Sequence, residues 1–427
     1  MRLELKTVTI SRAGFGANTG ISNAFLHVAQ AELRSIAGAD QRLGGVEIEI
    51  ANPGEDCRIT DVFDVFEPRF KPGGPNFPGV LEPVRRAGGG ITAALDGAAV
   101  VVLNGIEDRY KATIDMRGPA AQYSPYSHTA NICIRSHPAG GVDRANYYRA
   151  LKEAGIRAAM YLGQAAERAM PDRTEIFELD MRGADAARDT RLPRVAYIYM
   201  VASQQRPTEI NEPVLYGDNV RHLIPTILHP NEVLDGAVLA PFWNFGGDTF
   251  TAQNHPMILE LYRRHRRDLA FAGVVATIAA ETESARTRSA VMAASLARET
   301  LGADAVVLTK YGGGIPESAA METFEACEDL GMKSALIIWT HGGDGRIEGS
   351  LTFMSPRADA VVNCGINEET IELPPVSRVI GSETIGPLIM EAEGDVRPAS
   401  GALRLRFQFV AGAADQLGGS HRSAEEY

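Results

Sequence analysis

The 427-residue sequence contains no run of about eighteen consecutive apolar residues, so no segment reads as a helix able to span a bilayer. Its amino terminus, Met1-Arg-Leu-Glu-Leu-Lys-Thr-Val8, lacks the apolar core and small-residue cleavage site of a secretory signal, and a cytoplasmic location is expected. Cysteine is scarce. The four, at positions 57, 133, 327 and 364, form no C-x-x-C pair, which excludes a zinc knuckle or dithiol motif and leaves reduced thiols as the default. Positive charge is also short: 42 Lys and Arg face 54 Asp and Glu, for a formal net charge of -12. With no long basic stripe, a nucleic-acid partner is excluded and a small molecule or another protein is favoured.

What is present is a chain with 45% hydrophobic and 22% charged residues, enough for two or three domains that each bury a core. The expected class is α/β: an N-terminal mixed α+β domain over 1–190, a doubly wound, mostly parallel β-sheet domain over 191–385, and a C-terminal extension over 386–427. In the first part, Leu3, Leu5 and Val8 lie on an extended opening, Ile21 to Val28 is expected to pair with it, and Gly45 to Ile50 alternates with the strand period of two. Arg69 to Gly90, rich in Gly and Pro, reads as an irregular surface loop. Ala98 to Asn104 suits a strand buried on both faces. Asp143 to Met170 carries apolar residues at helical spacing, with Asp143 placed to cap its start and Pro171 past its end.

The second part alternates strands and helices. Apolar runs at Arg194–Val201, Gly236–Ala240, Ala272–Ile278, Ala305–Leu308, Ser334–Trp339 and Ala360–Asn363 are strand candidates, and helical patterns lie at Pro256 to Leu269, Glu281 to Leu301 and Glu317 to Leu330. Such alternation argues a parallel sheet covered on both faces, with ligands at the C-terminal ends of its strands. Four loops are thereby singled out: 203–212, 241–255, 310–317 and 340–346.

Lys310-Tyr-Gly-Gly-Gly-Ile-Pro-Glu317 joins a strand to a helix, and its glycines expose amides where a small anion can bind, which nominates Lys310, Tyr311, Gly312 and Gly313 as substrate contacts. A tight turn explains the same glycines, and the segment is neither G-x-G-x-x-G nor the phosphate loop. In Thr340-His-Gly-Gly-Asp-Gly-Arg346, His341 beside Asp344 has the makings of a general acid or base, or of a solvated turn. The 241–255 loop holds Asn244, Asp248, Thr249, Thr251, Asn254 and His255 among Phe242, Trp243, Phe245 and Phe250. Asp248 and His255 are catalytic candidates and Asn244 and Thr249 substrate contacts; the alternative is a packed loop in which Asp248 or, better, Asn254 caps the helix at Pro256. His222, His229 and His255, with Asp248 or Glu232, are the right residue types for Zn or Fe but match no compact ligand motif. His128 is a further catalytic candidate from the first half. Cys364, after a strand and before Gly365, is a candidate for chemistry, whereas Cys133 between two isoleucines reads as structural.

Several separated segments, in order and spacing, resemble the glycine, sarcosine and betaine reductase protein B proprotein family. They are Met1-Arg-Leu-Glu-Leu5, Arg58 to Arg69 ending Phe-Glu-Pro-Arg, Phe77-Pro-Gly79, Ile114-Asp-Met-Arg-Gly-Pro119, Ser124-Pro-Tyr-Ser-His-Thr-Ala-Asn-Ile-Cys133, Cys364-Gly-Ile-Asn367, Ile371-Glu-Leu-Pro-Pro375 and Arg378-Val-Ile-Gly381. The resemblance implies a subunit cut in the loop at 236–256, where a cysteine becomes a pyruvoyl group that captures an amine. It also implies a partner subunit whose cysteine or selenocysteine carries the reductive C–N cleavage. This loop holds no cysteine, and His128 stands where the family commonly has an acidic residue. The expectation is therefore a non-pyruvoyl subunit of a two-component, oligomeric reductase-like enzyme acting on a small nitrogen-containing compound. The alternatives are a metal-dependent hydrolase or lyase using the His/Asp cluster, and a noncatalytic scaffold for the thiol-bearing partner.

Overall fold

The computed structural model describes residues 1–106, 111–181, 192–203, 212–241, 247–340, 351–366, 369–388, 396–419 and 425–426. The alternating opening forms the strand Arg2–Thr9, whose Leu3 and Leu5 are buried between its antiparallel neighbour Arg173–Glu178 and its parallel neighbour Gly90–Asp96. Ile21 to Val28 does not join it. Strands Gly20–Ser22 and Phe25–Val28 instead pair with each other and with Arg12–Phe15 in a separate small sheet, because the two-residue connection at Asn23 and Ala24, both at positive φ, closes a local hairpin.

A second sheet has the order Ala112–Asp115, Cys57–Phe66, Ala98–Asn104, Ala130–Pro138, Leu43–Ala51. Every residue of Ala98–Asn104 is buried, as its unbroken apolar run requires. The long helix Arg144–Glu167, capped by the Asp143 side chain on the Asn146 amide at 2.9 Å, lies against this sheet. Its close approach depends on Gly155, where a Cβ would sit 2.5 Å from Val102 Cγ2, and on Gly163, where it would sit 2.4 Å from the Arg69 carbonyl carbon. Arg69 to Gly90 opens on the strand Arg69–Phe70, paired antiparallel with Gly90–Asp96, and is otherwise mostly irregular, but it is not a surface loop: Arg69, Lys71, Asn76 and Phe77 are buried in it, because Lys71 pairs with Asp235 at 2.8 Å and Arg69 donates to the Leu234 carbonyl.

The third sheet is mixed, with five parallel strands flanked by antiparallel edges. Its order is Thr226–Leu228, Ala270–Ala279, Arg194–Ser203, Ala305–Thr309, Lys333–Thr340, Val361–Ile366, Glu425–Glu426. Counting the five parallel strands along the chain gives the spatial order 2-1-3-4-5, which reverses direction between Arg194–Ser203 and Ala305–Thr309. Sheets of this order place ligand sites at the carboxyl ends of the strands that flank such a reversal. Ala293, Ala297, Ala319 and Phe324 of helices Glu283–Ser295 and Ile315–Asp329, with the turn Leu296–Thr300 between them in sequence, cover one face; Ile258 and Leu261 of helix Pro256–Arg264 cover the other. Gly236–Ala240 is not one of the strands. Gly236 takes φ +86° at the end of a widened helical turn, Val233–Ala237, and the apolar run around it is buried against other elements without pairing into the sheet. A short apolar run suits either burial mode, and the turn decided it.

The C-terminal segment is built into the interior. Leu403, Leu405, Phe407, Phe409, Ala413, Ala414 and Leu417 are all buried, and Arg378–Ile380 adds a strand beside Cys57–Phe66 in the second sheet. Arg58 fastens this return. Its five N–H donors go to both carboxylate oxygens of Asp115 (2.6 and 2.8 Å) and to the carbonyls of Ala399 (2.6 Å), Gly401 (2.9 Å) and Pro374 (2.8 Å). A buried guanidinium is tolerated only when so completely partnered. Arg58→Ala is expected to lower the unfolding free energy by about 3–5 kcal/mol in urea titration, as for other broken buried pairs; a change under about 1 kcal/mol would show that the return does not depend on it.

Candidate functional site

The base of the 241–248 loop is closed by a ring of buried polar contacts. The Thr249 amide and hydroxyl donate to Asp64 at 2.9 and 2.8 Å, and the Ala240 amide donates to the Thr249 hydroxyl at 3.2 Å. Lys152 of the long helix donates to the Ala240 carbonyl and pairs with Asp64 at 3.4 Å. Residues 240 and 249 are thus held to each other, to a strand of the second sheet and to the helix packed on it. Thr249 is fully buried and its hydroxyl is engaged as donor and acceptor.

Asp248 is a helix cap. It precedes the short helix Thr249–Gln253, accepting from the Thr251 amide at 2.8 Å and hydroxyl at 2.9 Å on one oxygen and from the Tyr126 hydroxyl on the other. Burial pushes its carboxyl up to about 7, against the lowering effect of the Tyr126 hydrogen bond. Asn254 ends this helix instead of starting the next, since its side chain accepts from Arg69 at 2.9 Å and donates to the Phe250 carbonyl at 3.2 Å. His255 occupies the cap position of Pro256–Arg264 without capping it. Its Nε2 lies 3.1 Å from the Tyr197 hydroxyl, which also contacts the Thr309 hydroxyl, and the rings of Tyr197 and Tyr199 meet the imidazole edge-on at 5.1 and 4.7 Å. Burial drops the imidazole to about 3, so it is neutral.

At the carboxyl ends of the first and third parallel strands, Lys310 is fully buried and donates to the Gly312 carbonyl at 2.5 Å, with Glu317 at 3.7 Å. Burial lowers its ammonium to about 8. Tyr311 contacts the Tyr199 hydroxyl at 3.3 Å, and the Gly312 amide donates to Gln416 at 2.8 Å. Gly313 is partly buried beside them. Asp415, from the C-terminal segment, is buried with the Leu417 and Gly419 amides as its hydrogen-bond partners among the described residues, and burial raises it to about 6. Its charge acts on Tyr126, Tyr197, Tyr199 and Tyr311 alike.

Of the candidates read from sequence, His255 and the 310–312 loop are linked here through Tyr197, Thr309, Tyr199 and Tyr311, and the charge of Asp415 reaches those tyrosines and Tyr126, the partner of Asp248. Asn244 and His341 lie outside the described residues, as does Asp344. His128 is exposed on the turn Pro125–His128. Cys364 is buried, and burial pushes its thiol up to about 12. The set His222, His229 and His255 is not assembled: His222 is exposed, and both ring nitrogens of His229 are occupied, by the Leu179 carbonyl at 3.0 Å and the Asn231 amide at 3.2 Å. Among the described residues no three His, Cys, Asp or Glu side chains gather as metal donors. Tyr126, Tyr197, Thr309, Asp415 and Asp64 were missed. The available signal was polar atoms inside apolar runs, as in Val195-Ala-Tyr-Ile-Tyr-Met-Val201 and Ala413-Ala-Asp-Gln-Leu417.

Comparison with known proteins matches residues 1–425 to the family of glycine/sarcosine/betaine reductase component B subunits. The chain is 33% identical over 433 residues, covering 100% of both chains, to the glycine reductase complex component B subunits alpha and beta of Peptoclostridium acidaminophilum. It is 35% identical over 387 residues to the sarcosine reductase complex component B subunit alpha of the same organism, covering 89% of each, and 30% identical over 393 residues to its betaine reductase counterpart, covering 89% of this chain and 88% of the relative. No solved structure matches.

The raised carboxyl of Asp248 sets a pH dependence. The folded chain keeps a proton on it that the unfolded chain releases near its ordinary value of 3.8, so this contribution is complete below about pH 4 and is lost as pH rises through about 7. Asp248→Asn should therefore gain stability relative to the unsubstituted chain between pH 5 and pH 8 in urea titrations. A difference that does not change with pH would contradict the assignment.

Proposed function

Since the chain belongs to the glycine/sarcosine/betaine reductase component B family, we propose that it is a subunit of a two-component reductase-like complex that acts on a small nitrogen-containing compound without a pyruvoyl group. The observation that carries this reading is the composition of the central loop: from Leu239 to His255 there is neither cysteine nor serine. A pyruvoyl group requires a side chain that attacks the preceding carbonyl and then eliminates to leave a three-carbon ketone, and only those two residues do so. Thr249 and Thr251 have the hydroxyl for the acyl shift, but elimination would leave a 2-ketobutyryl group. Both hydroxyls are also engaged, Thr249 with Asp64 and Thr251 with Asp248. The residues present do not fit the group.

A reductive cleavage needs an accessible thiol or selenol. The four cysteines of this chain are buried, and burial raises Cys57, Cys327 and Cys364 to about 12 and Cys133 well above its ordinary value. Thiolate is the reactive form. This supports the redox thiol or selenol residing on a partner subunit, with this chain binding and orienting the substrate. The hydrolase reading needs a clustered donor set, and the described histidines do not supply one.

Intact-mass measurement after purification, with and without a hydrazine, checks the proposal. One full-length species that takes up no hydrazine is expected. Two fragments meeting within 241–251, or a hydrazone on a new terminus, would overturn it.

A further inference from the structure

Two histidines in this chain have the same local spelling. His229-Pro230 and His255-Pro256 each place a buried histidine at a helix cap position with proline following at the first helical position. His229 uses the arrangement fully: Nδ1 accepts from the Asn231 amide and Nε2 meets the Leu179 carbonyl, so its tautomer is Nε2–H and every ring atom is satisfied. In His255 the Nδ1 position makes no cap and, among the described residues, has no hydrogen-bond partner beyond its own residue, although the residue is fully buried. Buried polar atoms are nearly always partnered, and an exception calls for an explanation.

The hydroxyls beside it fix which proton is left over. Among the described residues the Thr309 hydroxyl has Tyr197 as its one hydrogen-bond neighbour, and Tyr197 contacts Thr309 and His255. If Thr309 donates to Tyr197 and Tyr197 donates to His255 Nε2, every hydroxyl proton is used and the single orphan is Nδ1–H. The reverse direction strands two groups, the Thr309 proton and the Nδ1 lone pair. Each stranded buried group carries a desolvation penalty, so the first arrangement is favoured. An Nδ1–H also explains why His255 leaves its helix uncapped, since capping requires an acceptor.

We propose that Thr309 and Tyr197 act as positioning residues that hold His255 as the neutral Nδ1–H tautomer, and that this N–H is a binding contact for an acceptor oxygen, carboxylate or carbonyl, of a small ligand. A neutral imidazole donor suits a fully buried position, because it offers an N–H without placing a charge out of reach of water. The same mode, a neutral histidine polarising a substrate oxygen, is chemically established elsewhere. The contact depends on the proposed function only for the choice of probe molecules; the tautomer does not depend on it.

Long-range proton–nitrogen NMR of the full chain labelled at histidine reads the tautomer directly, with the His255 signals identified by their loss in His255→Asn. Expected at pH 7.5 are a protonated Nδ1 and a bare Nε2 in the unsubstituted chain, with that preference lost in Tyr197→Phe and weakened in Thr309→Val. Both variants delete or replace one hydroxyl, and retention of the His229 signals reports that the fold is intact. A protonated Nε2, or an unchanged tautomer in whichever variant folds, would overturn the relay. Titration with glycine, sarcosine and betaine, which offer a carboxylate, and with glycinamide, which offers a neutral carbonyl, is expected to shift the Nδ1 signal for one of the two classes and thereby name the acceptor. No shift with any of the four would overturn the ligand contact, whatever the intact-mass result.

Discussion

One buried carboxylate, Asp64, fixes the middle of this chain. It receives the amide and hydroxyl of Thr249, the amide of Val65 and the ammonium of Lys152, while Lys152 in turn donates to the carbonyl of Ala240. Removing an ion pair from water costs several kcal/mol per ion and is tolerated only when the remaining hydrogen-bonding capacity is filled. Here it is filled by the two ends of the central loop. The ends of that loop therefore cannot separate without exposing or stranding a buried charge. Two more buried pairs, Glu67–Arg69 and Lys71–Asp235, carry the same seam along the segment that leads away from the strand Cys57–Phe66.

This fixture also positions the candidate site. With residue 249 anchored, the short helix it begins brings Asp248 onto Tyr126 and ends immediately before His255, whose ring then falls between the two tyrosines of the first parallel strand. The strand order of the sheet supplies the rest, since the reversal next to Ala305–Thr309 sets Thr309 and the Lys310–Gly312 turn beside those tyrosines. The C-terminal segment, fastened through Arg58, returns Asp415 and Gln416 to the same place. Elements separated by hundreds of residues in the chain thus meet around the candidate site.

The sequence announced the elements better than the cluster. The helix from Arg144 is visible because its apolar residues recur at the helical period, and the five parallel strands because short continuous apolar runs alternate with helical patterns. Gly236–Ala240 failed that test in reverse: its apolar run is buried by a turn, and burial alone does not distinguish a turn from a strand. Asp64 with Thr249, Tyr126 with Asp248 and Tyr197 with Thr309 are pairings 112 to 185 residues apart, which no local pattern encodes. The histidines show the limit most plainly, because His229-Pro and His255-Pro are spelled alike while one ring is fully partnered and the other is not. The family was legible from separated matching segments; the roles of individual residues came from the three-dimensional neighbourhood.

Hydrogen exchange at the Thr249 amide tests the central fixture most directly. If Asp64 holds the loop closed, that amide should exchange as slowly as those of the strand Ala270–Ala279, and Asp64→Asn should release it while the strand stays protected. Exchange at the rate of a free chain in the folded, unsubstituted protein would contradict the account.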